Sequence, residues 1–321
     1  MHTPNPAPVR KRLSSTACTH TFLLSALTVA LLQTMPAWAA DDDLDALSLQ
    51  SAPEAMPESA RTTQLFVEGA LGHASQRYQL GGKSLGRASV DITHSSRLAP
   101  GLRAVISNRL DVVDPVEPGA DAAVNSLREA YVSWQPATGN TVLELGRINL
   151  RYGPAYGYNP TDFFRDGSLR TLTTVNPFAL RENRLGTFML RGQQLWSGGS
   201  LSVAYSPKLA SAANTDGLSL DWGTTNHRDR MVMALSTQLS QNVNSQLLAY
   251  KEQGLSTTVG ANLTALLSDG AVGHVELSRG KEPNLLSRAL GTPSQKATRN
   301  RFAGGVTYTT LGKLSFTAEY Q

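Results

Sequence analysis

From Gln64 to the end of this chain, short segments recur in which apolar and polar residues alternate. A β-strand turns successive side chains to opposite faces, so this period predicts strands with one apolar and one polar side. Leu65, Val67 and Leu71 alternate with Gln64, Phe66 and Glu68, and Ala88, Val90 and Ile92 with Arg87, Ser89 and Asp91. Leu102, Ala104 and Ile106 alternate with Arg103, Ser107 and Arg109, and Ala130, Val132 and Trp134 with Glu129, Tyr131 and Ser133. The pattern returns around Val203, Met233, Leu263, Val275, Val306 and Phe316. A soluble sandwich would show the same period.

The connectors discriminate further. Ala99-Pro100-Gly101, Pro136 to Asn140, Ser197-Gly198-Gly199, Ser240 to Val243, Ser268-Asp269-Gly270 and Thr310 to Gly312 are short. Between them fall the long Asp114 to Asn125, Asn149 to Asn183, Pro207 to Asp229 and Lys281 to Arg299, with smaller hairpins at Gly81-Gly82 and Gln253-Gly254. Short turns at one end and long loops at the other mark a barrel that crosses a membrane. Nowhere do eighteen apolar residues run together, so no helical span is expected. A closed barrel crosses without one, because its strands satisfy each other's hydrogen bonds. Trp134 and Trp196 fall where strands enter short turns, the place of an interfacial aromatic belt.

The expected fold is therefore all-β, an antiparallel transmembrane β-barrel over residues 64–321 with about thirteen strands. Closed bacterial single-chain barrels have even strand numbers. An odd count ending on an outgoing strand leaves both edges unpaired, so the expectation is a C-terminally incomplete part of a larger barrel.

Ahead of the strands, Arg10-Lys11-Arg12, the apolar stretch Phe22 to Leu32 and Ala37-Trp38-Ala39 follow the order of a secretory signal peptide, residues 1–39. Residues 40–63, with Asp41-Asp42-Asp43, Asp45, Pro53, Glu54, Pro57 and Glu58, read as an acidic periplasmic tail. Cys18 lies inside the signal, so the mature chain has no thiol for a disulfide or a metal. Removing Arg10, Lys11 and Arg12 from 29 basic residues leaves 26 against 25 acidic ones. A nearly neutral chain gives no case for nucleic-acid binding.

Between Glu144 and Arg191 the alternation is broken by a loop rich in Gly, Pro, Asn and aromatics. It carries Arg147, Arg151, Arg165, Arg170, Arg181, Arg184 and Arg191 against Asp162, Asp166 and Glu182. A long loop within an ordered β chain is a functional candidate. Guanidiniums stay charged and offer fork-shaped donors to carboxylates, phosphates or sugar hydroxyls. The competing role, favoured for any single arginine, is pairing: Arg147, Arg165 and Arg184 with Glu144, Asp162, Asp166 and Glu182, fixing the loop to the wall. Tyr152, Tyr156, Tyr158, Phe163 and Phe164 suit a stacking path, but packing of the loop is the favoured use of so much apolar area. Asn159-Pro160-Thr161-Asp162 reads as a turn with Asp162 as a cap, because ligands at calcium-loop spacing are missing.

Gly146-Arg147, Tyr152-Gly153, Asn159-Pro160-Thr161-Asp162 and Arg181-Glu182-Asn183-Arg184-Leu185-Gly186 together resemble proteobacterial porin-like outer-membrane barrels of the alginate-export and substrate-selective type. Tyr152 stands where that group has Trp, and the match spans about forty residues. The resemblance implies a barrel of the Gram-negative outer membrane, lying in its lipid, that passes or binds solutes. The expected function is a channel for small polar or anionic solutes. Its lumen would be narrowed by the loop, with Arg147, Arg151, Arg165, Arg170, Arg181, Arg184, Asp162, Tyr152 and Tyr156 at the constriction. No cofactor, metal or nucleic acid is expected, and association into homo-oligomers stays open. The alternative is a non-conducting barrel serving polysaccharide export, assembly or surface binding. An enzyme is not expected: HExxH and phosphate-binding Gly loops are absent from the sequence. His94 and Ser95, as neighbours on a strand, face opposite sides.

Overall fold

The structure is a computed structural model. It describes residues 61–75, 82–114, 121–137, 139–165, 167–168, 184–214, 216–283, 287 and 295–321, all within one compact unit, Pro36–Gln321. The signal peptide, most of the acidic tail, Arg170 and Arg181 lie outside the described residues.

Thirteen strands follow one another: β1 (Arg61–Ser75), β2 (Gly82–Ala99), β3 (Leu102–Asp114), β4 (Ala123–Trp134), β5 (Thr141–Ile148), β6 (Thr187–Trp196), β7 (Gly199–Ser206), β8 (Arg230–Ser240), β9 (Val243–Glu252), β10 (Thr258–Ser268), β11 (Ala271–Glu282), β12 (Ala297–Thr309) and β13 (Ser315–Tyr320). Each pairs antiparallel with its chain neighbours in one sheet, ordered β1 to β13. The alternation of short and long connectors is as the sequence predicts. Two details differ. β1 begins at Arg61 rather than Gln64, and the connector after β7 contains one helical turn, α1 (Trp222–Thr225). Asp221 starts that turn by accepting from the Thr224 amide, a short polar side chain capping orphan donors. No helix among the described residues is long and apolar enough to cross a membrane.

The sheet is sided in the sense opposite to a water-soluble protein. Its open face carries Val67, Ile92, Ile106, Leu145, Leu190, Met233, Leu247, Leu263, Leu277 and Phe302, all exposed. The other face buries Arg109, Asp111, Arg128, Glu144, Arg191, Gln193, Gln246, Asn262 and Glu276. Charged side chains are buried only when paired, and on β1–β4 they are. Arg109 bonds Glu68 at 3.2 Å and Asp111 at 3.0 Å, Arg87 pairs with Glu68, and Arg128 donates to Asp91 at 2.7 Å. Three guanidiniums and three carboxylates thus tie four strands together from the inside.

On β5–β9 the inner face changes character. Ile148, Met189, Ala204, Val232, Leu248 and Tyr250 point inward and form the apolar core with Leu150, Tyr152 and Phe164, which belong to the loop after β5. The core of this molecule is therefore the joint between the loop and the wall.

β5 ends in a backbone contact that excludes side chains. Gly146 has φ 138°, and a Cβ there would lie 2.3 Å from the Ala130 carbonyl oxygen and 2.6 Å from the Tyr131 Cα. Gly146→Ala is expected to cost about 1–3 kcal/mol through strain at this position. The urea midpoint of the refolded protein reads the loss, and an unchanged midpoint would contradict so close an approach.

Candidate functional site

The loop leaves β5 at Ile148 and rejoins the sheet at Thr187. At its root Arg147 is fully buried. Its guanidinium donates to the carbonyls of Gly186 (2.9 Å), Leu220 (2.6 Å) and Asp221 (3.1 Å) and stacks 4.5 Å from the Trp222 ring. The fork of donors thereby joins both ends of this loop to α1. Glu144, a suggested partner for Arg147, is bound instead by Arg191 at 2.9 Å. Register explains this, because Glu144 lies directly across from Arg191 on β6 while Arg147 lies opposite Phe188.

The second fastener joins the two motifs that the sequence offered separately. Arg184 and Asp162 form a buried bidentate pair at 2.6 and 3.2 Å, and the same guanidinium donates to the Asn149 side chain and the Leu150 carbonyl. Asp162 is thus an arginine partner rather than a side-chain cap. Asn159 turns its amide nitrogen back on the carbonyls of Gly153 and Ala155, closing the turn.

Beyond this turn the loop reaches the far wall. The Ala155 amide donates to Glu276 on β11 at 2.6 Å, and the Thr161 hydroxyl reaches the same carboxylate at 3.0 Å and Asn262 on β10 at 2.9 Å. The amides of Tyr156 and Gly157 donate to the two oxygens of Glu319 on β13, each at 2.7 Å. Gly153 is required here: its φ is 78°, and a Cβ would lie 2.4 Å from the Glu276 carboxylate. Phe163 stacks on Tyr250 of β9 at 4.7 Å and Phe164 meets the same ring edge-on. The loop is therefore held to β5–β6 at one side and to β9, β10, β11 and β13 at the other.

Of the residues singled out in the sequence, Arg147, Tyr152, Asp162 and Arg184 are buried in these joints. Burial raises the Tyr152 phenol above its ordinary range, so it stays neutral. Arg151, Tyr156 and Arg165 are partly exposed. Arg151 lies within electrostatic reach of Glu129, and Arg165 donates to the Gly157 carbonyl at 3.2 Å. Arg170 and Arg181 lie outside the described residues. Sequence reasoning missed Glu276, Glu319, Asn262 and Tyr250. The available signal was an acidic residue at an inward position of β11 and again of β13. Among the described residues no group of three His, Cys, Asp or Glu is arranged to hold a metal ion.

No protein-family model matches the chain, and no curated protein matches it. Among solved structures it is similar to OprB of Pseudomonas putida, with 9% identity over 78% of this chain and 71% of that one, at a TM-score of 0.46. It is also similar to an anion-selective porin from Comamonas acidovorans, with 12% identity over 81% and 78% of the two chains and a TM-score of 0.47. The likeness to OccAB1 of Acinetobacter baumannii has 13% identity over 78% and 62%, with a TM-score of 0.47.

Two expectations follow from the fasteners. Arg184→Met strands a buried Asp162 carboxylate and costs about 3–5 kcal/mol, whereas Arg184→Met with Asp162→Leu regains most of it. Thermal unfolding and limited proteolysis of the loop measure both, and equal losses in single and double variants would contradict the pairing. His227 follows α1, where burial, then the Arg228 charge, hold its pKa below the ordinary value of 6.5. Its neutral form thus contributes stability that is present above about pH 6.5 and lost as the pH falls through the folded-state pKa. His227→Gln should flatten the acid limb of the stability profile between pH 7 and pH 5.

Proposed function

We propose that this chain forms the wall of a Gram-negative outer-membrane channel and that the loop after β5 narrows its lumen. The observation that carries this reading is the loop's span: it is hydrogen-bonded to β5–β6 and to β11 and β13 across the polar side of the sheet. An apolar open face suits lipid and a polar inner face suits water, the division a spanning barrel needs. Selectivity then follows from width and lining charge, with no chemistry catalysed.

The β1–β4 ladder pairs three arginines with three carboxylates, so its local charge balances. Arg147 and Arg184 serve the joints. The cationic bias falls to Arg151 and Arg165, the partly exposed guanidiniums of the described loop, which favours small anionic or polyhydroxyl solutes. The resemblance of the loop motifs to substrate-selective porins points the same way.

Single-channel conductance and reversal potentials of the whole protein in planar bilayers test this. A unit charge about 4 Å from a permeating ion in water is worth roughly 1 kcal/mol. Arg151→Ala and Arg165→Ala are therefore each expected to lower the anion preference by up to about fivefold while the pore stays open. A folded, inserted protein that conducts nothing would overturn the channel reading in favour of a barrel serving export or surface binding.

A further inference from the structure

On β9 and β11 the outward face is apolar up to one level and cationic above it. On β11 the outward positions read Val275, Leu277, Arg279 and Lys281, and on β9 they read Leu247, Ala249 and Lys251. Register puts the change one row apart on the two strands, at Arg279 on β11 and at Lys251, just beyond Ala249, on β9. Leu247, Ala261, Leu277 and Phe302 form one row across four strands, and Ala249, Val259, Arg279 and Asn300 form the next row on the same face toward the long-connector end. Lys281, opposite Thr298, stands about 7 Å further along β11. This is the end with the long connectors. Lys251, Arg279, Lys281 and Lys296 are all exposed.

Two of these cations converge. The Lys251 ammonium donates to the Leu255 carbonyl at 2.6 Å, and that of Lys296 donates to the adjacent Gly254 carbonyl. An ammonium has three donors, so each keeps donors beyond the turn it braces. The nearby carboxylates look the other way: Glu252 and Glu282 are buried on the inner face and bound by Arg228 and Arg301. Asp229, beside β8, accepts from Tyr205 and from the Lys208 amide.

We infer that Lys251, Arg279, Lys281 and Lys296 form a docking site on the outer wall for the phosphate-bearing headgroup of a membrane lipid, whose acyl chains lie on Leu247, Leu277 and Phe302. The shape of the patch selects the lipid over free phosphate. Its exposed apolar row (59%, 48% and 42% for those three side chains) continues directly below the cations, so an amphiphile engages both. The inference rests on the barrel reading, since the patch meets lipid only if this face does.

The test uses the full chain reconstituted in phosphatidylcholine vesicles with and without phosphatidic acid, retained lipid being read by native mass spectrometry after extraction. Near an anionic lipid surface each basic residue is worth about a fivefold change in binding. Arg279→Gln/Lys281→Gln should therefore weaken phosphatidic acid retention about 30-fold, and Lys281→Gln alone about fivefold. Lys313→Gln, in the exposed turn at the opposite end, should leave it unchanged. Retention by the double variant equal to that of the wild type would overturn the inference, as would displacement of phosphatidic acid by equimolar inorganic phosphate. A wild-type protein that fails to float with any vesicle would remove the barrel reading, and this site with it.

Discussion

Three consecutive backbone amides, those of Ala155, Tyr156 and Gly157, are captured by two carboxylates on strands that follow more than a hundred residues later. Hydrogen bonds to charged groups are about twice as strong as neutral ones, and Glu276 is fully buried. A carboxylate in that position has no water to return to, so loop and wall are each other's solvation. Absence of Glu276 would leave a buried turn with open donors.

The other features fall into place around this bond. The apolar patch on the inner face of β5–β9 exists because the loop lies on it, with Phe163 and Phe164 against Tyr250. The Arg184–Asp162 pair and the Arg147 fork hold the near end, as the glutamates hold the far end. Both ends are made rigid by groups that are costly to separate once buried. The rest of the inner face is the balanced ladder of β1–β4 and the part-exposed face of the loop.

Much of the wall was legible in the sequence because the strand period is local: most of the thirteen strands carry their own alternation, and most short turns a Pro, Gly or Asp. Pairing among the loop arginines was legible in kind but not in partner. Register decided that Glu144 meets Arg191, and only folding brings Asp162 to Arg184. Glu276 was invisible for a different reason. One inward acid in a strand reads as ordinary lining, and its partners are main-chain amides, which carry no residue identity. The turn at Trp222–Thr225 was hidden likewise, since four residues are too few for a helical period to show.

Hydrogen–deuterium exchange of the peptide containing residues 153–158, in the folded full-length protein in lipid vesicles, tests the spanning loop most directly. If the loop is bonded across the interior, the amides of Ala155, Tyr156 and Gly157 exchange as slowly as those of β10 and β11. Glu276→Gln should then speed Ala155, and Glu319→Gln should speed Tyr156 and Gly157. Exchange of all three in the wild type at the rate of an open, solvated loop would contradict it.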